Sequence, residues 1–345
     1  MSNLKKIKEP KRARIGFYSA GLCTYWEQFE GLYNCLIGYN KFIEKKLSQW
    51  GEVYNFGMVD TEEKGRTAGE FFNKSNVDIV FSHAATYYTS ACVLPVHQIN
   101  KAPVVILNLQ PTPEMAYEIT GTDRWLAQCV GCSVPEISNA FNRAGIPFRV
   151  VNGLLGLYET PTFAKADEVT EKRPEAMKAW KEIEEWCVAA SVQRTLKWSR
   201  FGFLGGYYSG MLDMYSDFTM LQAQTGMDVE ILEMSDLDYY LKSVTEKEVQ
   251  QKLQQIQDFF EISGDSPSDP IARKPSQDQL NWSARVASAQ EKMVRDRNLD
   301  SVSYYYHGRD DYFETVQSGF IVGFSLLNAR GIACAGEGDI KQLWQ

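Results

Sequence analysis

Histidine and long apolar runs are what this sequence has least of. The chain has 345 residues but only three histidines, and no stretch approaches the roughly 18 consecutive apolar residues that a transmembrane helix requires. None of the histidines stands in the His-x-x-x-His or Glu-x-x-His spacing of many catalytic metal sites. We therefore expect no membrane partner, and no metal centre made entirely from residues of this chain.

A disulfide framework and a secretory signal are also missing. The seven cysteines are odd in number and scattered along a long chain, which is typical of a protein kept in a reducing compartment. No apolar segment follows the basic N-terminal residues, as one would in a signal peptide. These features predict a cytoplasmic protein.

Positive charge is concentrated only at the N-terminus. Four lysines and two arginines lie within residues 1–14, whereas the whole chain has a formal net charge of −8. A single short basic cluster in an acidic chain is typical of a solvated tail rather than a nucleic-acid site. We therefore predict a basic N-terminal tail over residues 1–14 and no nucleic-acid partner.

Residues 15–157 alternate between two kinds of segment, which predicts a first α/β domain. Short stretches rich in Val and Ile indicate strands, and stretches whose apolar residues recur every three or four positions indicate helices. Such alternation through short links predicts a doubly wound parallel sheet of the Rossmann or flavodoxin-like type. The predicted strands are residues 14–18, 52–56, 77–81, 103–107 and 148–151, and the predicted helices are residues 29–47, 61–74, 91–98 and 135–144.

The same alternation resumes after a predicted linker over residues 158–170. A long charged helix over residues 171–198 opens a second α/β domain, which we predict over residues 171–345 and again expect to be doubly wound. The predicted strands are residues 200–204, 229–232 and 302–306, and the further helices are residues 214–225, 246–260, 277–298 and 311–329.

Two loops at the carboxyl ends of predicted strands carry aromatic residues, where ligands of parallel sheets bind. The run over residues 22–27 supplies Tyr25 and Trp26. The loop over residues 205–210 reads Gly-Gly-Tyr-Tyr-Ser-Gly and matches neither a dinucleotide fingerprint nor a P-loop. Its tyrosines suit a polyol better than a nucleotide, because rings pack against the carbon face of a sugar and hydroxyls bind its rim. A plain connecting loop is the alternative.

The histidines and one cysteine pair are weaker candidates. His83 follows the third predicted strand, where it either contacts a ligand or makes a structural hydrogen bond, whereas His97 is predicted to be packed. His307 ends a strand and is better placed for a site. Cys129 and Cys132 form a C-x-x-C pair that could hold half a zinc site or exchange thiols. Without a second pair, two buried thiols are the favoured interpretation.

Residues 335–341 read Ala-Gly-Glu-Gly-Asp-Ile-Lys, an acidic, glycine-rich loop after an apolar segment. With three other stretches, in the same order, this loop resembles the L-arabinose isomerase and L-fucose isomerase-like superfamily, most closely its arabinose isomerase branch. The other stretches are a strand and turn over residues 15–22, a segment from Ser82-His83 through Asn-Lys-Ala-Pro to Gln110, and residues 200–217.

This resemblance implies aldose–ketose isomerisation of a pentose or related sugar through an enediol. A divalent metal, usually Mn²⁺, would hold two sugar oxygens while a carboxylate moves the proton. In the family, two glutamates and two histidines after the Ala-Gly-Glu-Gly-Asp loop do this work. We therefore expect the catalytic residues and metal ligands beyond Gln345, and expect this chain alone to be inactive.

The resemblance also implies which residues line the sugar and how the chain assembles. Leu22 matches a pocket residue, and Ser133 falls near a histidine of the arabinose isomerases. Family members are trimers or hexamers, so a homo-oligomer is expected. The candidate substrate-binding residues are Leu22, Tyr25, Trp26, His83, Ser133, Tyr207 and Met211, of which Met211 matches a methionine that closes a neighbouring subunit's site.

Two other interpretations remain open at this point. The chain could be a non-catalytic sugar-binding or regulatory paralogue, which keeps the binding surface without the chemistry. It could also be a truncated, inactive form of the enzyme.

Overall fold

The computed structural model describes residues 5–159 and 169–340, and the chain divides into two compact units. The first unit contains residues 11–195, and the second contains residues 1–10 and 196–345. Each is built on its own parallel sheet. The predicted class, α/β with two doubly wound parallel-sheet domains, is therefore confirmed. No helix in the described residues is both long enough and apolar enough to span a membrane.

The first unit has a five-stranded sheet in the order β2-β1-β3-β4-β5, with every pair parallel. This is the flavodoxin-like order, in which the chain reverses its direction of winding after the first two strands. Its strands are β1 Ala13–Ala20, β2 Gly51–Val59, β3 Ile79–Ala84, β4 Val104–Gln110 and β5 Phe148–Leu154. Its helices are α1 Thr24–Gln28, α2 Leu32–Leu47, α3 Glu62–Lys74, α4 Ser90–Ile99, α5 Thr122–Gln128, α6 Val134–Arg143 and α7 Pro174–Lys197.

Helices cover both faces of this sheet. On one face, Phe17 and Leu107 pack with residues of α2, α5 and α7. On the other face, Tyr18 and Ile106 pack with residues of α3, α4 and α6. Neighbouring residues of a strand therefore enter different cores, and this is why the strands are apolar throughout rather than alternating.

Helix α7 belongs to the first unit, whereas the sequence placed residues 171–198 at the start of the second domain. Trp180 is 7% exposed and donates its Nε1–H to the Leu155 carbonyl at 2.8 Å. Arg194 pairs with Asp78 at 3.2 Å. The boundary between the units lies at residues 195 and 196 instead of within 158–170, of which residues 160–168 fall outside the described part. An apolar helical stripe does not reveal which sheet it will cover.

The second unit has a four-stranded parallel sheet in the order β7-β6-β8-β9. Its predicted helix over residues 311–329 is two helices separated at Gly319. The strands are β6 Arg200–Gly205, β7 Asp228–Leu232, β8 Ser301–Tyr305 and β9 Ala333–Ala335. The helices are α8 Phe218–Thr225, α9 Met234–Lys242, α10 Glu246–Phe259, α11 Gln277–Asp296, α12 Asp311–Ser318 and α13 Phe320–Asn328.

The N-terminal segment is not the solvated tail that its charge predicted. Residues 5–10 belong to the second unit, where Ile7 packs against the core and donates its backbone N–H to the Arg330 carbonyl at 2.8 Å. Lys8 pairs with Asp300 at 3.2 Å. Residues 13 and 14, predicted as part of the tail, already belong to β1. An apolar residue and a complementary carboxylate hold this segment on the protein, which charge alone did not indicate.

Candidate functional site

The strand order places a crevice at the carboxyl edge of each sheet. Where adjacent strands send their connections to opposite faces, the loops diverge and leave room for a ligand. In the first sheet this point lies between β1 and β3, and in the second sheet it lies between β6 and β8. We call these places the first and the second crevice.

Polar and aromatic side chains gather at the first crevice. The Tyr87 hydroxyl donates to Glu136 at 3.3 Å, and the backbone N–H and hydroxyl of Ser90 donate to the same carboxylate at 2.8 and 3.0 Å. The Glu136 charge raises the pKa of Tyr87. Burial, with Tyr87 and Cys129 nearby, raises the pKa of Tyr25. Both tyrosines therefore offer neutral hydroxyls.

The C-x-x-C pair borders this crevice, but only one of its thiols is buried. Cys129 is 5% exposed, and burial together with a hydrogen bond to Cys132 raises its pKa to about 12. Cys132 is exposed, so the favoured interpretation of two buried thiols is wrong for this residue. Because Cys129 stays protonated at neutral pH, it does not supply a thiolate.

Leu22 and Trp26 lie on the same loop and helix as Tyr25 but have different surroundings. Leu22 is half-buried against the core. Trp26 donates its indole N–H to Asp60 at 2.8 Å, and Lys64 pairs with the other oxygen of that carboxylate at 2.7 Å. Trp26 also lines an open cavity of about 560 Å³ with Glu27, Glu30, Gly31, Tyr33, Asn34, Asp60 and Lys64.

His83 and Ser133 are buried and make structural hydrogen bonds. His83 is 1% exposed, and its Nδ1 lies 3.0 Å from the Ser19 hydroxyl. Burial lowers the pKa of His83 to about 3, so the imidazole is neutral at physiological pH. The Ser133 hydroxyl donates to the Thr86 carbonyl at 3.0 Å. Both side chains hold the loops of the first crevice in place and do not line its surface. Of the two alternatives for His83, the structure therefore has the structural hydrogen bond and not the ligand contact.

The second crevice carries three aromatic rings and a carboxylate. The Tyr208 and Tyr305 ring centroids are 4.9 Å apart, and the His307 ring stacks on Tyr305 at 5.9 Å. Burial raises the pKa of Tyr305, and the nearby Tyr208 and Glu337 raise it further. Tyr208, His307 and Glu337 are exposed. We call Tyr208, Tyr305, His307 and Glu337 the aromatic cluster.

Backbone hydrogen bonds join the two glycine-rich loops of the second unit. The Tyr208 N–H donates to the Glu337 carbonyl at 3.0 Å, and the Gly338 N–H donates to the Tyr304 carbonyl at 3.1 Å. Gly338 has a φ of +80°, and a Cβ there would lie 2.7 Å from the Gly206 carbonyl oxygen. Glycine is needed for this approach. Two loops that the sequence singled out separately thus form one edge, although Lys341 lies outside the described residues.

Tyr207 packs inward, and the neighbouring Tyr208 takes the exposed position. The Tyr207 ring lies 4.7 Å from Phe203, and its hydroxyl accepts the Ser216 backbone N–H at 3.3 Å. Met211 is half-buried, and its N–H bonds the Tyr208 carbonyl at 3.4 Å. The sequence indicated both tyrosines of this loop but only Tyr207 as a candidate substrate-binding residue, and it did not indicate Tyr87 or Tyr305. Strand alternation was the available signal for Tyr305, since it directs neighbouring side chains to opposite faces.

A manganese site does not fit the described residues. No group of three or more His, Cys, Asp or Glu side chains among residues 5–159 and 169–340 is arranged to hold a metal ion. Mn²⁺ prefers oxygen and imidazole ligands in such groups.

The fold and the two crevices define the class of this protein, an α/β protein with two flavodoxin-like sheets and aromatic residues at their carboxyl edges. No protein-family model and no curated protein matches the sequence. Among solved structures, the chain is similar to a ligand-free substrate-binding protein with adhesive properties from Clostridium difficile, with 9% identity, a TM-score of 0.20, and coverage of 95% of this chain and 90% of that one.

Two further solved structures have comparable scores. One is a probable maltose operon transcriptional repressor from Staphylococcus aureus, with 12% identity, a TM-score of 0.17, and coverage of 92% and 90% of the two chains. The other is an ABC transporter solute-binding protein from Bacillus halodurans with bound myo-inositol, with 10% identity, a TM-score of 0.17, and coverage of 95% and 93%. Scores of this size do not establish a common fold.

Proposed function

We propose that this chain recognises a monosaccharide, a pentose or a related sugar, as part of an arabinose isomerase-like protein. The observation that carries the proposal is the aromatic cluster, in which Tyr208 and Tyr305 lie 4.9 Å apart beside Glu337. It lies at the point of the second sheet where a ligand is expected from the strand order.

The chemistry of the aromatic cluster suits a sugar. A pyranose or furanose ring has patches of C–H groups, which pack favourably on the face of an aromatic ring. Its hydroxyls need hydrogen-bond partners when they leave water, and a carboxylate such as Glu337 accepts strongly from them. The tyrosine hydroxyls can both donate and accept. A nucleotide phosphate would instead meet the negative charge of Glu337.

The reaction class comes from the sequence resemblance. We propose aldose–ketose isomerisation, to which the described residues contribute sugar binding.

We further propose that the protein is a cytoplasmic homo-oligomer, a trimer or hexamer. Leu212, which follows Met211 in sequence, is 73% exposed, and Met220 of α8 is 54% exposed. Exposed apolar patches commonly mark a protein interface. All seven cysteines are free, which suits a reducing compartment.

Calorimetric titration of the full chain with a panel of aldopentoses tests the sugar proposal. We expect saturable binding, and a loss of about tenfold or more in affinity for Tyr208→Ala. Removing an aromatic side chain from the centre of a binding site costs about 1.4 kcal/mol or more of binding free energy. Tyr239→Ala is the matched control, since Tyr239 is a 72% exposed tyrosine of the same unit. Equal affinities of Tyr208→Ala and the parent would reject the aromatic cluster as the site.

Ketose formation in the presence of Mn²⁺ separates the two remaining functions. We expect binding without turnover for this chain, since its described residues lack a metal-binding group. Turnover by the 345-residue chain would contradict our placement of the catalytic residues. Sugar binding that is insensitive to Mn²⁺ would favour the non-catalytic sugar-binding paralogue.

A further inference from the structure

The first unit has a cavity of about 370 Å³ at the amino end of its sheet. It lies where β4 and β5 begin, between the ends of α4 and α6 and the side of α7. The first crevice is at the opposite end of these strands, about 20 Å away at 3.3 Å per residue. The cavity is thus separate from the candidate sugar site. It is lined by His97, Asn100, Lys101, Ala102, Pro103, Val104, Val105, Ala144, Gly145, Ile146, Pro147, Phe148, Arg149 and Trp186.

The walls of this cavity are mainly apolar and largely preformed. Phe148, Ile146 and Trp186 present ring and branched side chains that are only partly buried by the protein itself. Pockets of this size with apolar walls and a few polar groups are typical of small-molecule sites. An apolar ligand body would remove these side chains from water and gain roughly 25 cal/mol per Å² of area covered.

Two exposed cations stand at the cavity, and neither has an acidic partner within the described residues. Lys101 makes only a long contact of 3.5 Å to the His97 carbonyl. Arg149 donates to its neighbouring Phe148 carbonyl at 3.0 Å. In a chain with a net charge of −8, two cations without carboxylates at one cavity indicate an anionic group on the ligand.

His97 forms part of the wall of this cavity. It is 2% exposed and lines the cavity, and its Nε2 lies 2.9 Å from the Tyr18 hydroxyl. Among the described residues, its Nδ1 is buried with no hydrogen-bond partner. A buried polar atom left unpaired costs roughly 1–3 kcal/mol. The ring itself is held between Tyr18 and Phe141, so His97 forms a fixed part of the cavity wall.

We propose that this cavity is a second binding site, and that its ligand is an aryl or branched-chain carboxylate. The apolar body lies against Phe148, Ile146 and Trp186, and the carboxylate binds Lys101 and Arg149. The site does not depend on sugar binding at the second crevice.

Titration of the full chain with phenylacetate and 3-phenylpropionate tests this proposal, with phenylacetamide as the uncharged match. We expect both carboxylates to bind and the amide to bind at least about tenfold more weakly. Lys101→Gln and Arg149→Gln should each weaken the carboxylates about tenfold and leave the amide unchanged. Lys45→Gln is the control, because Lys45 is an exposed lysine of α2 outside the cavity.

Two variants test the cavity itself. Ala102→Leu places a larger side chain in the cavity and should abolish binding of both carboxylates. Phe148→Ala removes an apolar wall and should weaken binding of both carboxylates and of the amide alike, while thermal melting checks the fold. No saturable binding at millimolar concentrations would overturn the proposal. So would unchanged affinity in Ala102→Leu, or inorganic phosphate binding as tightly as the carboxylates.

Discussion

The three histidines show how surroundings give one residue type different properties. His83 and His97 are buried in the first unit, and burial lowers the pKa of each to about 3. His307 is exposed and stacks on Tyr305. Only His307 therefore has a ring available to a solute in the second crevice, whereas the other two make buried hydrogen bonds to Ser19 and Tyr18.

The buried histidines should make the first unit less stable in mild acid. In the unfolded chain an imidazole binds a proton near pH 6.5, but in the folded unit it does so only near pH 3. Below about pH 6.5 the unfolded state therefore binds more protons. The free energy of unfolding then falls by up to about 1.4 kcal/mol per pH unit for each histidine. Above that pH this dependence disappears.

Urea unfolding of His83→Gln measures this effect. Between about pH 6.5 and pH 5, we expect the free energy of unfolding of the variant to depend on pH about half as steeply as that of the parent. The reason is that one of two titrating imidazoles is removed. The slope is informative even if the variant is less stable at every pH. Parent and variant slopes that coincide would show that His83 is protonated in the folded unit.

Single side-chain positions also decide which tyrosines reach the solvent. Tyr207 and Tyr208 are adjacent in one loop, yet Tyr207 packs on Phe203 and Tyr208 stacks towards Tyr305. Likewise Tyr304 is 8% exposed, whereas Tyr305 is half-buried. Substitution of Tyr207 or Tyr304 should therefore lower stability, whereas substitution of Tyr208 or Tyr305 should weaken ligand binding.

At the scale of elements, α7 is the helix that completes the core of the first unit. Its residues Ala179, Trp180, Ile183 and Cys187 are buried in the same core as β1 and β4. Trp180 also stacks on Trp50 at 6.2 Å between ring centroids. The first unit would lose a wall of its core without this helix, although the chain reaches it only after the last strand of the sheet.

Trp180→Ala should destabilise the first unit by about 3–5 kcal/mol, because it leaves a large cavity and removes the hydrogen bond to Leu155. Met177→Ala in the same helix is the control, since Met177 is 61% exposed and should matter little. Hydrogen exchange under mild denaturant will locate the loss. Faster hydrogen exchange in β6, with exchange in β5 unchanged, would contradict the assignment of α7 to the first unit.

At the scale of the whole molecule, the chain does not divide at one point in sequence. Residues 1–10 belong with residues 196–345, and the chain between them forms the first unit. Lys8 contributes its charge to Asp300, and its side chain bonds Asn298 at 2.7 Å. The second unit is therefore completed by residues from the very beginning of the sequence.

Ile7→Ala should consequently weaken the second unit and not the first. We expect a loss of about 1–2 kcal/mol, since Ile7 is only partly buried against the core. Hydrogen exchange should increase in α13 and β9, which flank Arg330. Lys6→Gln serves as the comparison, because Lys6 is exposed and pairs only with Glu9 within the described residues. A variant indistinguishable from the parent would restore the solvated-tail interpretation.

Much of the local structure follows from the sequence alone. All eight predicted strands are present with shifted ends, because β-branched and aromatic runs between turn residues encode strands locally. Helices α1, α5 and α9 were not predicted, and α1 and α5 are too short for a clear periodicity. The carboxyl-edge loops over residues 22–27 and 205–210 were also located correctly, since a parallel sheet fixes where such loops emerge.

Tertiary structure decided the rest, and the reason is long-range packing. Periodicity identifies an apolar face but not its partner, so the sheet covered by α7 and the core that accepts Ile7 were visible only in the fold. Adjacent tyrosines are equivalent as residue types until neighbouring strands bury one of them. His83 became a buried hydrogen-bonding group, and Tyr208 became a surface group of the second crevice, for this same reason.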